Sequence, residues 1–488
     1  MQVEEPVGRH IEILSRSDLD DIHGATMEVL RRLGVKVLEP NALELFDEAG
    51  ADVDRKTKVV RIPEGLVKET VRKAPSEFKM YGRDPKYQLD YSGNKVHFGV
   101  AGCAIRVKDL DGRIRPGTVA DVESIARVAD YLENIHHILL TVTPFDVPDE
   151  VYHLHCINAD WKNSVKTTDG FTWTARKAQE TVDMAAILRG SYDEVVRRPP
   201  LLGFMNPVSP MQLSSELTEG ALVYAKYRQP MVVAPEALAG ATAPSTLAGL
   251  LTQQNAEVLA GIMVTQLASS GTPVLYGTAS TVMDMRTGTA AMGGPEVGLV
   301  NIATGQLGRY YSLPRRGTGG VTDSKLVDAQ AGAETALSML MAALSGMNFI
   351  YEACGGLDGT LTFSYEKLVV DDEIAGMVSR TLRGIEVNEE TLAVDEICKY
   401  GSSSYLGSPH TGRTFRTEHY MPTLFDRRHW EAWLKAGGRD ISLEARRKAK
   451  WILKEHHAEP VDGAIQAEID EFIRKTTRGW ADSASTAS

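Results

Sequence analysis

The sequence predicts an α/β fold: a (β/α)8 TIM barrel with an N-terminal helical cap and a C-terminal helical extension. Three observations predict it. From residue 94 onward, short apolar or β-branched runs alternate with longer stretches of helical periodicity. Eight such runs can be counted, the number a closed barrel needs. No GxGxxG follows any of them, so the dinucleotide-binding version of the competing doubly wound sheet has no support, although that open sheet shares the βα repeat.

The runs are 94–100 (NKVHFGV), 136–143 (HHILLTVT), 164–169 (SVKTTD), 200–206 (PLLGFMN), 231–236 (MVVAPE), 273–278 (PVLYGT), 311–316 (YSLPRR) and 348–353 (NFIYEA). Each is short enough for a buried parallel strand. Between them, 119–134 reads as a helix behind a Thr118/Asp121 capping box, as do 174–189, 212–227, 246–269 and 329–345, the last stopped by Gly346. The first 93 residues look helical. They open with a capping box at Ser17 and Asp20 and an apolar stripe of Leu19, Ile22, Met27, Leu30 and Leu33, closed by Gly34. Beyond residue 386 the pattern turns to charged helices and loops, with Ile465, Ile469 and Phe472 on one face of 464–475. The expected organisation is therefore a cap (1–93), a barrel (94–385), an extension (386–480) and a disordered tail of small polar residues (481–488).

With 488 residues, 43% hydrophobic and 24% charged, the chain has the balance of a soluble globular protein of two or three domains. Lys plus Arg total 53 against 65 Asp plus Glu, and the net charge of -12 repels phosphate backbones, so nucleic acid is not an expected partner. No uncharged apolar run of about 18 residues occurs, and MQVEEPVGRH lacks the pattern of a signal peptide. No membrane partner and a cytoplasmic location are expected. Cys103, Cys156, Cys354 and Cys398 are widely spaced and suggest neither a disulfide framework nor a zinc knuckle.

Barrel chemistry sits at the C-terminal ends of strands. There the sequence places Thr143, Asp169, Asn206, Glu236, Tyr276, Arg315, Arg316 and Glu352. Strand alternation puts Val232, Ala234 and Glu236 on one face, and likewise Asn348, Ile350 and Glu352, so both acids can point into the mouth. Aromatics fall at matching places: Phe171, Trp173, Tyr276, Phe349 and Tyr351. Aromatic faces beside carboxylates suit a cation, above all a quaternary ammonium, which has no proton to donate. Core packing, helix capping or ion pairing explains each of these residues equally well taken singly. His153, His155 and Cys156, with Cys103 and Cys354 beside the first and last strands, complete no four-ligand spacing, so no metal site is expected. GxSxG, P-loop and HExxH motifs are absent.

The turn RRGTGGVTDSK (315–325) is the most unusual segment. Gly317, Gly319 and Gly320 permit close approach of a large ligand or another protein, and Asp323 is placed to cap the helix that Lys325 enters. A phosphate-binding loop is the alternative.

With this turn, GGVTDSKLVDAQAGAE (319–334), GLDGTLTFSYEKLVVDDE (356–373), SPHTGRTF (408–415) and PTLFDRRHWEAWLKAGGRD (422–440) resemble the trimethylamine methyltransferase superfamily over nearly the whole chain. The resemblance implies a TIM barrel that moves a methyl group from a methylated amine to the cobalt of a separate corrinoid protein. Archaeal trimethylamine enzymes of the family carry pyrrolysine near the TDSK stretch; here only standard residues occur, with Lys325 in that neighbourhood. That departure matches the non-pyrrolysine branch, whose substrates are quaternary amines such as glycine betaine, proline betaine, carnitine and butyrobetaine. A quaternary nitrogen leaves as a neutral amine, so displacement by external Co(I) needs no acid or adduct. On that reading the strand-end and aromatic residues Asp169, Phe171, Trp173, Glu236, Tyr276, Arg315, Arg316, Tyr351 and Glu352 are the expected substrate site, with Arg315 or Arg316 holding a carboxylate. Gly317, Gly319, Gly320, Asp323, Lys325 and His410 would face the corrinoid. No cofactor bound permanently, a cognate corrinoid protein as partner and a homo-oligomer are expected. A non-catalytic binder of quaternary amine or corrinoid, and a barrel enzyme acting on a phosphorylated small molecule, are the other readings.

Overall fold

Eight parallel strands close into a barrel in this computed structural model, which describes residues 11–486, side chains through residue 480. The strands are β1 (His97–Val100), β2 (His137–Ile138), β3 (Thr167–Asp169), β4 (Leu201–Met205), β5 (Met231–Val233), β6 (Val274–Gly277), β7 (Arg315–Thr318) and β8 (Phe349–Cys354). Each pairs with its neighbours in chain order, and β8 returns to β1. All eight fall within or against the eight apolar runs. The seventh shifts furthest: Pro314 has no N–H to give a ladder and Ser312 turns the chain at φ 58, so the strand begins only at Arg315.

A helix follows every strand: α1 (Val119–Tyr131), α2 (Tyr152–Asn163), α3 (Ala175–Arg189), α4 (Ser215–Lys226), α5 (Leu247–Ala268), α6 (Pro295–Tyr310), α7 (Ala329–Leu344) and α8 (Tyr365–Arg383). The Thr118/Asp121 capping box starts α1 as expected. Helix α5 is apolar nearly all round because it is covered twice, inside by the barrel and outside by the N-terminal region, whose helices Arg16–Arg32, Pro40–Glu48 and Glu64–Val71 all pack on it.

The N-terminal region adds to its helices five short strands that its apolar stripe did not announce. Three of them, Val35–Val37, Asp52–Asp54 and Val59–Arg61, form a sheet completed in parallel by Gln212–Leu213 from the β4–α4 connection. Its first helix starts two residues early: the capping box is Ser15 with Asp18, not Ser17 with Asp20. Both pairs have the same spacing, and the stripe ends at Leu30, since Leu33 is exposed. In the C-terminal region, Ile441–Glu455 packs on α8 and α1, and the last helix, Gly463–Thr486, on α3 and α2. Of the tail expected to be disordered, 481–486 continues this helix, while 487–488 lie outside the described residues. Among the described residues no helix is long and apolar enough to cross a membrane.

Candidate functional site

Charge gathers inside the C-terminal mouth, where β7 and β8 run in register with Thr318 beside Tyr351. Alternation sends Arg316 inward and Arg315 outward. The Arg316 guanidinium carbon lies 4.4 Å from the Tyr351 ring centroid. Its Nη1 donates to the Thr278 carbonyl and, at 2.9 Å, to Thr318 Oγ1. Its buried Nε has no partner among the described residues. Burial lowers the pKa of Arg316, against the pull of Glu352, Tyr351, Glu236 and Asp169. A guanidinium in such company stays charged.

Glu352 reaches this group by a break in the strand. Ile350 pairs with Phe98 and Cys354 with Val100, so four steps of β8 oppose two of β1, and Glu352 takes φ 60. This left-handed bulge costs a non-glycine residue about 1–2 kcal/mol and re-aims a side chain that regular alternation would send out. Ile350 indeed faces outward, toward Gly319 and Met339, so it does not share a face with Glu352 as the sequence suggested. Burial pushes the Glu352 carboxyl up to about 7, with Arg316 opposing and the like charge of Glu236 adding. Glu236, just beyond β5, is reached by water from the open end, yet protein surrounds it closely enough that burial raises its pKa too, again opposed by Arg316.

Across the mouth, Asp169 Oδ1 lies 2.8 Å from His137 Nε2, and Tyr351 donates its hydroxyl to Asp169 Oδ2 at 3.3 Å. Thr167 Oγ1 holds the other ring nitrogen of His137 at 2.7 Å. Burial raises the Asp169 pKa and the His137 contact lowers it. The Phe204 ring stands 4.8 Å from Tyr351. Cys103, at φ 58 after β1, completes the ring of groups; water reaches it, yet the protein packed around it, then Glu352, Asp169 and Glu236, push its thiol up to about 12. It is a thiol, not a thiolate.

Behind this wall sits a fully buried ion pair on α8. Lys367 Nζ donates to Asp371 Oδ1 at 2.7 Å, to Thr335 Oγ1 at 2.7 Å and to the Gly320 carbonyl at 3.4 Å. Asp371 Oδ2 in turn accepts from the Gly355 amide at 2.8 Å. One pair thus ties the turn after β7 to the end of β8.

Residues 2–481 match the model of the trimethylamine methyltransferase family. The chain belongs to this family. The glycine betaine methyltransferase of Desulfitobacterium hafniense (strain Y51) is 36% identical over 465 residues, covering 94% of this chain and 96% of its own. The trimethylamine methyltransferase of Methanosarcina barkeri (strain Fusaro / DSM 804) is 35% identical over 480 residues, 97% of each chain. The crystal structure of the Methanosarcina barkeri monomethylamine methyltransferase aligns with a TM-score of 0.49 and 11% identity over 92% of this chain and 96% of that one.

In this member of the trimethylamine methyltransferase family the expected site residues divide. Asp169, Glu236, Arg316, Tyr351 and Glu352 come together. Arg315 does not: its Nε donates to the Gly346 carbonyl at 2.9 Å and its Nη2 to that of Gly93 at 2.6 Å. Tyr276 also faces out, donating its hydroxyl to Asn255 Oδ1 on α5 at 2.8 Å. Phe171 packs edge-on against Tyr152 of α2, and Trp173 is exposed after β3 without joining the cluster.

The glycine turn faces the barrel wall rather than an incoming group. A Cβ at Gly317 would strike Asn301 of α6, one at Gly319 would strike Ile350, and one at Gly320, at φ 87, would strike the Ala353 carbonyl. Asp323 caps no helix: it accepts from the Met292 and Gly293 amides, and Asp328 caps α7 instead. Lys325 lies on the surface, its Nζ on the Asp323 carbonyl and 3.4 Å from Asp358. His410 is far along the chain in the helix Pro409–Glu418, against the Glu390 carbonyl.

Sequence reasoning missed His137 and Phe204 altogether and treated Cys103 only as a metal candidate. Alternation within the short runs was the one signal for His137 and Phe204, and it leaves open which face is inward; Cys103 lies outside the runs. Among the described residues no group of three or more His, Cys, Asp or Glu is placed to hold a metal; His153 instead meets Glu180 at 2.9 Å.

Proposed function

We propose that this chain transfers a methyl group from a quaternary amine that also carries a carboxylate, glycine betaine first, to Co(I) of a separate corrinoid protein. The observation that carries the reading is the mouth itself, where Arg316, its Nε unpartnered among the described residues, lies over the Tyr351 ring, which Phe204 flanks, within electrostatic reach of Glu352, Glu236 and Asp169. That arrangement suits a zwitterion. Arg316 would take the carboxylate through charge-assisted hydrogen bonds worth about 1.5–3 kcal/mol. The ammonium, with no proton to donate, would lie against the rings and between the carboxylates, each ring adding about 0.5–2 kcal/mol.

The family resemblance implies an acceptor that supplies its own nucleophile, Co(I). The chain's part is then to bind, orient and exclude water. Its own residues agree: the mouth thiol, Cys103, is protonated, and the leaving amine of a quaternary substrate departs neutral without an acid. Water reaches Glu236 from the open end, so an outside acceptor has an approach. The phosphate reading has less support, because the amides of Thr318, Gly319, Gly320 and Asp323 are already bonded to Asn301, Tyr351, Ser338 and Glu334.

The test is a panel of methylated amines scored for demethylation with reduced corrinoid protein present. Glycine betaine should turn over, and nothing should turn over without the corrinoid protein. Preference for trimethylamine over every carboxylated amine would defeat the substrate reading; turnover by the chain alone would defeat the external acceptor.

A further inference from the structure

His137 stands on β2 directly beside Thr167 of β3. Its ring spans two successive inward positions of that neighbouring strand, with Nδ1 2.7 Å from Thr167 Oγ1 and Nε2 2.8 Å from Asp169 Oδ1. Held at both nitrogens, and met edge-on by Phe349 at 5.2 Å, the ring has one orientation. The His137 side chain is 0% exposed and that of Asp169 7%. The histidine is therefore sealed behind the carboxylate and meets no ligand, whereas the carboxylate opens onto the mouth. Asp169 Oδ2 accepts the Tyr351 hydroxyl, which sits so close to Gly102 that a Cβ there would come within 3.0 Å of it.

Among the described residues, Asp169 is the one mouth carboxylate held by side-chain hydrogen bonds; Glu236 and Glu352 have only the charge of Arg316 in their favour. Burial favours the protonated form of all three, and at Asp169 the contacts with His137, the Leu140 amide and Tyr351 oppose it. A carboxylate taken out of water keeps its charge where N–H and O–H groups replace the lost hydration. A protonated acid has no charge with which to attract an ammonium.

We propose that His137 is a positioning residue for the cationic end of the substrate: clamped by Thr167, it donates its Nε2–H to Asp169 and holds that carboxylate as the counter-charge beside the Tyr351 ring. The inference rests on the quaternary-amine reading above. It assigns discrimination of charge, as distinct from shape, to a histidine that the substrate never touches. The same chain of hydrogen bonds pins the Tyr351 hydroxyl, and with it the ring over which Arg316 lies.

The test is calorimetric binding to the full-length protein of glycine betaine and of tert-butylacetate, the same shape with carbon in place of the charged nitrogen. The wild type should bind betaine more tightly. His137→Leu should lower the betaine-to-tert-butylacetate affinity ratio about tenfold, through the betaine alone, and His137→Gln, whose amide still donates to Asp169, should restore most of it. Asp169→Asn should give the same loss, and His137→Leu added to it should lower the ratio no further. Thr167→Val frees the far nitrogen but keeps the ring, and should lower the ratio about threefold. It carries the test if melting curves show His137→Leu unfolded. An unchanged ratio in the folded variants, or an equal loss of both ligands, would overturn the proposal and leave the substrate reading standing. A wild type with no preference for betaine would overturn both.

Discussion

The inner wall at β7 and β8 and the face over 385–434 treat exposure in opposite ways. The wall takes charged groups out of water and gives nearly every one a partner: Lys367 has Asp371, Asp169 has His137 and Tyr351, and Arg316 has Thr278 and Thr318. The outer face leaves apolar groups in water with nothing over them. The few loose ends of the wall, Arg316 Nε above all, are where the proposed substrate would bind. Exposed apolar side chains on the outer face offer no such charged, directional contact.

The sharpest way to break this comparison is at the buried pair. Lys367→Met leaves the Asp371 carboxylate without its cation and should cost about 3–5 kcal/mol, read as a drop in the urea midpoint, whereas Lys367→Met with Asp371→Leu should recover most of it. No drop in the single variant would mean that the wall is not tensioned from behind.

Next in size are the two arginines of β7. Arg316→Met should raise the glycine betaine KM about 30- to 100-fold, the equivalent of about 2–3 kcal/mol, with little change in Tm. Arg315→Met should do the reverse, lowering Tm and leaving KM alone. Equal effects on KM would erase the distinction between the two faces of the strand.

A smaller effect belongs to Glu352, whose carboxyl lies at about 7 instead of the usual 4.5. It attracts the ammonium only when ionised, so the betaine KM should fall as pH rises from about 6 to 8, and Glu352→Gln should flatten that slope. Stability runs the other way. A raised folded-state pKa favours the fold below about 4.5 and loses that contribution as pH climbs through 7, so Glu352→Gln should be the more stable protein at pH 8 and no different at pH 4. Chemical denaturation at both values checks the sign.

The smallest effect is expected at Lys325, 69% exposed and held only by a backbone carbonyl and Asp358. Lys325→Ala should change stability by less than about 0.5 kcal/mol and turnover by less than twofold. Abolished methyl transfer in a folded, substrate-binding variant would instead assign this lysine a chemical part.

The eight apolar runs were enough to read the barrel because each strand is buried on both faces and so stands out against helical periodicity. Which residues point inward was harder, since a strand such as Arg315–Thr318 is four residues long and one step of register exchanges Arg315 for Arg316. Tyr276 was misread for that reason. Glu352 was placed correctly in the mouth, but by an alternation that the bulge at φ 60 abolishes. The glycines of 315–325 signal tightness without saying against what, and here they accommodate Asn301, Ile350 and Ala353. His137 meets Asp169 from 32 residues away, a pairing that no local pattern announces.

The parallel pairing of Lys36 with Gln212 has a consequence for how the chain is made. Val35–Val37 leaves the ribosome with one edge satisfied by Val59–Arg61 and the other bare, and the strand that fills it follows about 175 residues later. At ~5–20 residues per second that is a wait of roughly 9 to 35 s, during which an unpaired edge is open to the wrong neighbour. The N-terminal sheet therefore waits on a strand from the middle of the chain, and a nascent chain stalled before Gln212 should be a stronger client for chaperones than one stalled just after Leu213.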